Sequence, residues 1–282
     1  MHVSKFRFND VKRLKLLSNQ ARIILIETLA TSKSGHSAGP LGLADVFVSL
    51  YFKILKNNPK KPSLNSRDRL FVSNGHVCPI QYVVMSQAGY FPQKELKTLR
   101  KINSRLQGHP SRKDLPGIEN SSGPLGQGIS QACGAAFVIK KEKLKQRIYC
   151  IISDAEFNEG QTWEALLFAA KNKLPLTILV DRNNIQITGN TEDVMPLEPL
   201  KQKLMALNLT VEEVDGHNHL QIISVCNNAK KNKNTTIIIC HTIPGKGVSF
   251  MENKYEWHGK PPNEQEARKA LEELYAEQAK LR

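Results

Sequence analysis

The sequence has no apolar run long enough to span a bilayer: stretches such as Ile24-Leu25-Ile26 and Ile237-Ile238-Ile239 fall far short of the roughly 18 residues a membrane helix needs. No membrane partner is expected. The basic N-terminus, Met1 to Leu17, has no continuous apolar segment followed by a small-residue cleavage site, so no signal peptide is evident and a cytoplasmic location is expected. Cys78, Cys133, Cys150, Cys226 and Cys240 are odd in number, widely spaced and mostly set among apolar neighbours. They read as buried thiols and carry neither a disulfide framework nor a metal motif. Acidic residues are also in deficit, with Lys+Arg 40 against Asp+Glu 26, which gives a formal net charge of +14. A surplus of that size raises the question of nucleic acid, because clustered cations release phosphate counterions. The basic clusters at residues 53–62, 140–147 and 229–234 nevertheless sit at element ends without interleaved aromatics. Solvated surface is the expected reading, and a complement to an acidic partner chain the remaining use. Internal repeats and low-complexity segments are lacking as well.

What is present is a chain of 282 residues, 40% apolar, which suffices for a full core. Residues 8–31 carry Val11, Leu14, Leu16, Ile23, Ile26 and Leu29 at helical spacing, and Gly39-Pro-Leu-Gly42 opens a second helix to about Lys56. The N-terminal region, residues 1–60, is therefore expected to be helical. A short strand in Asp68–His76 and a helix to about Gln87 follow. Residues 101–128, rich in Gly, Pro and Ser, form a long aperiodic stretch of the kind that carries function. Thereafter the elements alternate: helix 129–145, strand 147–153, helix 160–172, strand 175–181, strand 209–214, helix 218–230, strand 235–242 and a helical tail at 263–282. Strands as apolar as Leu176-Thr-Ile-Leu-Val180 and Thr236-Ile-Ile-Ile-Cys240 must be covered on both sides. The expected fold class is thus α/β, a parallel sheet with helices on both faces in one domain.

In such sheets ligands bind at the carboxyl ends of the strands, where neighbouring mouths lie about 4.8 Å apart. Asp154 ends one apolar strand, and Asp181-Arg182-Asn183 ends the next. If the two strands are neighbours, the Asp154 carboxylate, the Asn183 amide oxygen and a backbone carbonyl such as that of Ile185 supply half the octahedral oxygen shell of Mg²⁺, which phosphate oxygens and water complete. The alternative is local: Asp154 caps the helix starting near Gly160, and Asn183 sits in a turn with Asn184. His217-x-His219 lies in a turn and helix cap, Asp215-Gly-His-Asn218, and is assigned no metal. Gly123-Pro-Leu-Gly-Gln-Gly128 follows a loop and no strand, so it fails the context test for a dinucleotide fingerprint.

Asp154 with Glu159-Gly160, Trp163-Glu164-Ala165 and Asp181-x-Asn183 resembles the thiamine-diphosphate motif. Ser34-Gly-His-Ser-Ala-Gly-Pro-Leu-Gly42, Arg67-Asp-Arg-Leu70, Ser73-Asn-Gly-His76, Gly108-His-Pro110, Ser122–Gly128, Asp215-Gly-His217 and Lys246-Gly-Val248 with Trp257-His-Gly259 are similar in order and spacing to the amino-terminal half of transketolase, over residues 10–275. The resemblance implies a thiamine-diphosphate-binding fold and transfer of a two-carbon ketol unit from a ketose phosphate to an aldose phosphate. It implies Mg²⁺ held by Asp154, Asn183 and Ile185, and cofactor contacts from His76, Gly123, Leu125, Ser153, Asp154, Ala155, Asn183 and His258. It further implies that His36, His109 and His258 line a sugar channel, and that Glu159 stands near a subunit boundary. The glutamate and arginines of the family's second, pyrimidine-binding half have no counterpart before Arg282. The chain is thus expected to act only with a separate C-terminal subunit, as a heterotetramer, or to form a homodimer in isolation.

Two departures stand out: Ser153-Asp154-Ala155 replaces Gly-Asp-Gly, and Gly35-His36-Ser37-Ala38 replaces Gly-His-Pro-Gly. A positive φ at Ala155 would cost about 1–2 kcal/mol, which leaves a noncatalytic relative as one alternative. Another two-chain thiamine-diphosphate enzyme, a 2-oxo acid dehydrogenase alpha chain or a 1-deoxyxylulose-5-phosphate synthase, is the other. Gly108-His-Pro110 and Trp257-His-Gly259 suit sugar recognition better.

Overall fold

The computed structural model describes residues 8–232 and 234–282. Residues 1–7, which begin the basic N-terminal stretch, and Lys233 of the 229–234 cluster lie outside the described residues. Helix α1 (Phe8–Ser32) is followed by the short helices α2 (Ala38–Gly42) and α3 (Ala44–Ser49), the latter running into a π turn at Leu50–Ile54. The single helix expected over 39–56 is thus broken. Gly42 lies so close to the Ile243 carbonyl that a Cβ there would stand 2.9 Å from its oxygen, and that approach sets the break.

Strand β1 (Arg69–Val72) leads through a 3₁₀ turn (Gly75–Val77) into α4 (Cys78–Ala88). The long loop, interrupted by a 3₁₀ stretch at Gln93–Thr98, ends where α5 (Gln127–Lys141) begins. Helix α5 stops short of the expected residue 145, and Lys143 beyond it turns to a φ of 51°. Then come β2 (Ile148–Ser153), α6 (Gly160–Lys171) and β3 (Leu176–Arg182), followed by a small hairpin of β4 (Ile185–Gln186) and β5 (Gly189–Asn190). Helices α7 (Thr191–Val194) and α8 (Leu200–Ala206), β6 (Thr210–Asp215), α9 (His219–Ala229), β7 (Thr236–His241) and α10 (Glu264–Leu281) complete the described chain. Neither α8 nor the 3₁₀ stretch was expected, because each is too short to show a periodic apolar pattern.

The main sheet has the order β1-β2-β3-β7-β6, parallel throughout. Apolar residues alternate to two separate cores. Tyr149, Ile151, Leu179, Ile238 and Cys240 join one core with Leu14, Phe47, Tyr82 and Ile222. Ile148, Cys150, Ile152, Ile178, Val180, Ile237 and Ile239 join the other with Ile129, Leu166 and Leu204. This two-sided burial is why the central strands are almost wholly apolar. Edge strand β6 instead exposes Glu212 and Glu213, charges that discourage pairing with another chain. Helices α5 and α6 cover one face and α9 the other, so the connections change side between β3 and β7. That switch opens a crevice at the carboxyl ends of the strands, the usual place for a ligand. No described helix is long and apolar enough to cross a membrane.

Helix α6 gives a direct test of this layering. Leu166 is fully buried against the sheet, while its neighbour Leu167 is 55% exposed. Leu166→Ala is expected to lower stability by about 2–5 kcal/mol and Leu167→Ala by no more than about 0.5 kcal/mol, measured as denaturation midpoints of the isolated chain.

Candidate functional site

Four histidines converge above the carboxyl edge of the sheet from four separate segments. His36 lies between α1 and α2, His76 in the turn after β1, His109 in the long loop, and His258 after a 3₁₀ turn at Tyr255–Trp257. Ring centroids are 5.1 Å apart for His36–His76, 6.1 Å for His36–His109, 5.6 Å for His36–His258 and 4.9 Å for His76–His258. Side chains staple the loops that carry them. Ser37 Oγ donates to the Lys260 carbonyl at 2.6 Å, joining the His36 and His258 segments. The Arg100 guanidinium donates to Ser34 Oγ and to the Gly108 carbonyl, each at 3.1 Å, joining the His36 and His109 segments.

The cluster stays neutral near pH 7. Burial, reinforced by His258, Arg100 and His109, brings His36 down to about 4. Burial also lowers His76 well below its ordinary value, and lowers His109 and His258. A neutral imidazole offers one donor and one acceptor. The Nδ1 atoms of His36 and His258, both side-chain polar atoms of Asn74 and the Ser122 hydroxyl are buried without a hydrogen-bond partner. Buried polar atoms are rarely left so, and this group marks a place where a polar ligand would bond. The wall beside it is close-set. A Cβ on Gly75 would lie 2.7 Å from Ser122 Oγ and 3.0 Å from the Gly123 nitrogen, and one on Gly123 would meet His109 at 3.7 Å.

At the neighbouring mouths, β2 and β3 pair with Ser153 opposite Asp181, so Asp154 and the Arg182–Ile185 turn lie side by side. Asp154 is fully buried. Its Oδ2 accepts from Arg182 Nη1 and from the Asn184 N–H, both at 2.9 Å, and from Thr191 Oγ1 at 3.4 Å. Its Oδ1 accepts the Ala155 N–H at 2.8 Å. Burial raises the Asp154 carboxyl, and Arg182 with these backbone donors offsets only part of that rise. Asn183 Oδ1 accepts the Ile185 N–H at 3.0 Å, while its Nδ2 donates to Asp181 Oδ2 at 2.8 Å. Burial, with the Asp154 charge adding to it, pushes Asp181 up to about 7, although it also accepts from the Thr242 hydroxyl. The turn reading of Asn183 therefore holds. The capping reading of Asp154 does not, because the residue before α6 is Glu159 and Asp154 begins a separate 3₁₀ turn, Asp154–Asn158.

The departures at Ser153 and Ala155 have a local explanation. Ala155 does not adopt a positive φ, so no strain attaches to its side chain. Its N–H serves Asp154, and the Ser153 N–H donates to Glu156 Oε2 at 2.8 Å, so neither amide offers itself freely to a ligand. Glu156, which the sequence reading missed, is fully buried. It accepts from Ser73 Oγ at 2.5 Å and from the Gly126 N–H at 2.8 Å, and so joins the ends of β1 and β2 to the loop before α5. Its signal was legible as the Ser153-x-x-Glu156 capping box, which the structure forms. Burial raises the Glu156 carboxyl. Glu159 is exposed, Leu125 is half-buried, and Gly126 beside it approaches the Glu159 Cβ.

His217 and His219 stand apart from this site. The Asp215–Asn218 segment is a turn and cap, with Asn218 accepting from the Leu220 and Gln221 N–H groups. His217 Nδ1 lies 2.8 Å from Asp45 Oδ2 and His219 Nδ1 2.7 Å from Ser49 Oγ, within a buried network that includes Arg22. Because His217 Nε2 accepts the Ile243 N–H, its Nδ1 is the donor to Asp45. Among the described residues no group of three His, Cys, Asp or Glu side chains could hold a metal. The Asp154–Asn183–Ile185 set is of another kind, with one carboxylate, one amide and one carbonyl.

Comparison with known proteins agrees with this geometry. Residues 14–280 match the family described as the transketolase thiamine diphosphate binding domain. The chain is 38% identical over 264 residues to the 6-deoxy-6-sulfo-D-fructose transketolase subunit SqwG of Clostridium sp. (strain MSTE9), covering 93% of this chain and 96% of that one. It is 36% identical over 254 residues to an apulose-4-phosphate transketolase subunit from Actinobacillus succinogenes, covering 90% and 92%. The crystal structure of transketolase from Campylobacter jejuni superposes with a TM-score of 0.83 at 30% identity, over 95% of this chain and 47% of that one. The chain thus spans nearly all of the subunit-type relatives and about half of the full-length enzyme.

The histidine cluster makes pH a probe. A group whose pKa falls on folding leaves the unfolded chain binding more protons, so stability is lost as pH drops from about 6.5 to about 4. Asp181 acts with the opposite sign below about 7 and is shared by wild type and variant. Melting curves of wild type and His36→Asn are expected to converge as pH falls through that window, and parallel curves would show that His36 is not held neutral.

Proposed function

Since the chain belongs to the family of transketolase thiamine diphosphate binding domains, we propose that it is the N-terminal subunit of a two-chain transketolase. In this reading it moves a two-carbon ketol unit from a ketose phosphate to an aldose phosphate, together with a C-terminal subunit that carries the pyrimidine-binding domain. The observation that carries the reading is the ring of four neutral histidines, with its unpartnered buried polar atoms, beside the Asp154–Asn183 strand mouths. The subunit-type relatives support a divided enzyme, and the described residues make one cofactor-binding domain around one parallel sheet.

The residues fit the cofactor. Asp154 Oδ1 and Asn183 Oδ1 each accept one hydrogen bond, which leaves each a lone pair for Mg²⁺ alongside the Ile185 carbonyl. His76 and His258 would donate to the diphosphate, and Asn74 and Ser122 have unused donors nearby. Gly123 would let the backbone approach the cofactor and Leu125 would supply apolar contact to it. Ser153 and Ala155 shape the pocket and lend no free amide. Thiamine diphosphate, when bound, supplies the carbanion that cleaves and re-forms the carbon–carbon bond.

The chain's own part is binding, orientation and proton handling. His36, His109 and His258 would bond sugar hydroxyls. Because their pKa values are lowered, each is present as the neutral base, which can accept a proton from the substrate without first losing one to water and can then return it. Exposed Glu159, at the start of α6, would face the partner chain. Five buried, unpaired cysteines suit a reducing compartment such as the cytoplasm, and ketol transfer between sugar phosphates would place the chain in carbohydrate metabolism such as the pentose phosphate pathway. The relaxed backbone at Ala155 removes backbone strain as a motive for a noncatalytic relative.

Calorimetry is expected to show thiamine diphosphate binding that requires Mg²⁺ when both subunits are present, and a ketol-transfer assay is expected to give turnover only with both. No binding heat in the two-chain preparation would end the reading. His109→Ala is expected to slow transfer by about 10²-fold or more while cofactor affinity stays near that of the wild type.

A further inference from the structure

Arg182 is an unusual residue to find against a cation site. Its side chain is 4% exposed and its guanidinium lies 2.9 Å from Asp154 Oδ2. The other end of the same fork reaches Glu192 Oε1 at 2.6 Å and Glu198 Oε1 at 2.9 Å, on the segment that follows the β4–β5 hairpin. Glu192 also accepts the Leu197 N–H, and Glu198 the Leu200 N–H, so the segment is tied to itself as well as to Arg182. Only a planar, multi-donor cation can bridge three carboxylates in this way.

Two effects on a divalent cation compete. A positive charge beside Asp154 repels the cation, and on that ground alone its removal would tighten binding. The same guanidinium, however, fixes the carboxylate. With Arg182, Asn184 and Thr191 all on Oδ2, Oδ1 is the oxygen left with a free lone pair. The repulsion is also answered on the spot: one positive and three negative groups leave the cluster a formal charge of −2, which a divalent cation neutralises. Orientation therefore outweighs repulsion. Resting on the proposed cofactor reading, we infer that Arg182 is a positioning residue for the divalent cation. It aims Asp154 and, through Glu192 and Glu198, couples cation affinity to the order of residues 191–200.

The test is calorimetric titration of the two-subunit protein with Mg²⁺ in the presence of thiamine diphosphate, with melting curves as a check on folding. Arg182→Met is expected to weaken Mg²⁺ binding about 10- to 100-fold. Arg182→Lys, which keeps the charge and loses the fork, is expected to weaken it by a smaller factor. Glu198→Gln leaves the Arg182–Asp154 contact in place, and Glu198 is 58% exposed, so this variant keeps the question open to measurement even if Arg182→Met does not fold. It is expected to weaken binding, and to add nothing once Arg182 is already Met. Binding unchanged or tighter in Arg182→Met, or in Glu198→Gln should the former not fold, overturns the positioning role while the cofactor reading stands. A wild type without Mg²⁺-dependent heat sinks both.

Discussion

The parallel ladder that joins β2, β3 and β7 is the constraint on which everything else rests. Its register sets Ser153 beside Asp181, and Asp181 beside Cys240. The chain therefore leaves each strand at the same edge of the sheet, and Asp154 and Arg182, 28 positions apart, meet there in a hydrogen bond. The ladder is held by apolar side chains on both faces, not by any group in the site. Burial of that kind tolerates polar and even charged residues at the strand ends, because the core is complete before the mouths begin.

Above this edge the loops of the site are joined by polar side chains whose partners are chiefly backbone. Glu156 joins the ends of β1 and β2 to the loop before α5, while Ser37 and Arg100 each join two loops. These contacts hold four imidazoles together, with His36, His76 and His258 half-buried and His109 exposed at the mouth. Partial burial lowers the pKa of each ring, and for His36 and His76 the repulsion expected from a charged neighbouring imidazole adds to it. The same burial leaves Asn74, Ser122, His36 and His258 with unfilled hydrogen bonds. A pocket that is neutral and underbonded is preorganised for a polar ligand.

The substitutions that set Ser153-Asp154-Ala155 apart from the family's glycines are consistent with this scheme. A left-handed backbone at 155 would call for glycine, and the backbone there is not left-handed. The chain instead starts a 3₁₀ turn at Asp154, closed by the Ser153–Glu156 box. Arg182 is a second local solution, because a buried carboxylate needs a buried partner. Asp154 and Arg182 are then a matched pair, and neither can be changed alone at low cost.

Much of this was legible in the residues. Strands β2, β3 and β7, and helices α6, α9 and α10, fell within a few residues of their expected positions, because long apolar patterns dominate local choice. The histidine motifs carried the cluster, and Asp154 and Asn183 marked their strand mouths. Legibility ended where a partner was distant in sequence. Glu156 reaches Ser73 across 83 positions, and His217 reaches Asp45 across 172. The break at Gly42 depends on a carbonyl at residue 243. Sequence alone thus determined which segments would be helix or strand and which polar side chains would stand at the strand ends and in the loops above them. Only the tertiary structure decided which donors each carboxylate would receive, which imidazoles would be half-buried, and which atoms would be left unbonded. Those properties follow from burial and from atoms brought within about 3 Å, and local order along the chain contains neither.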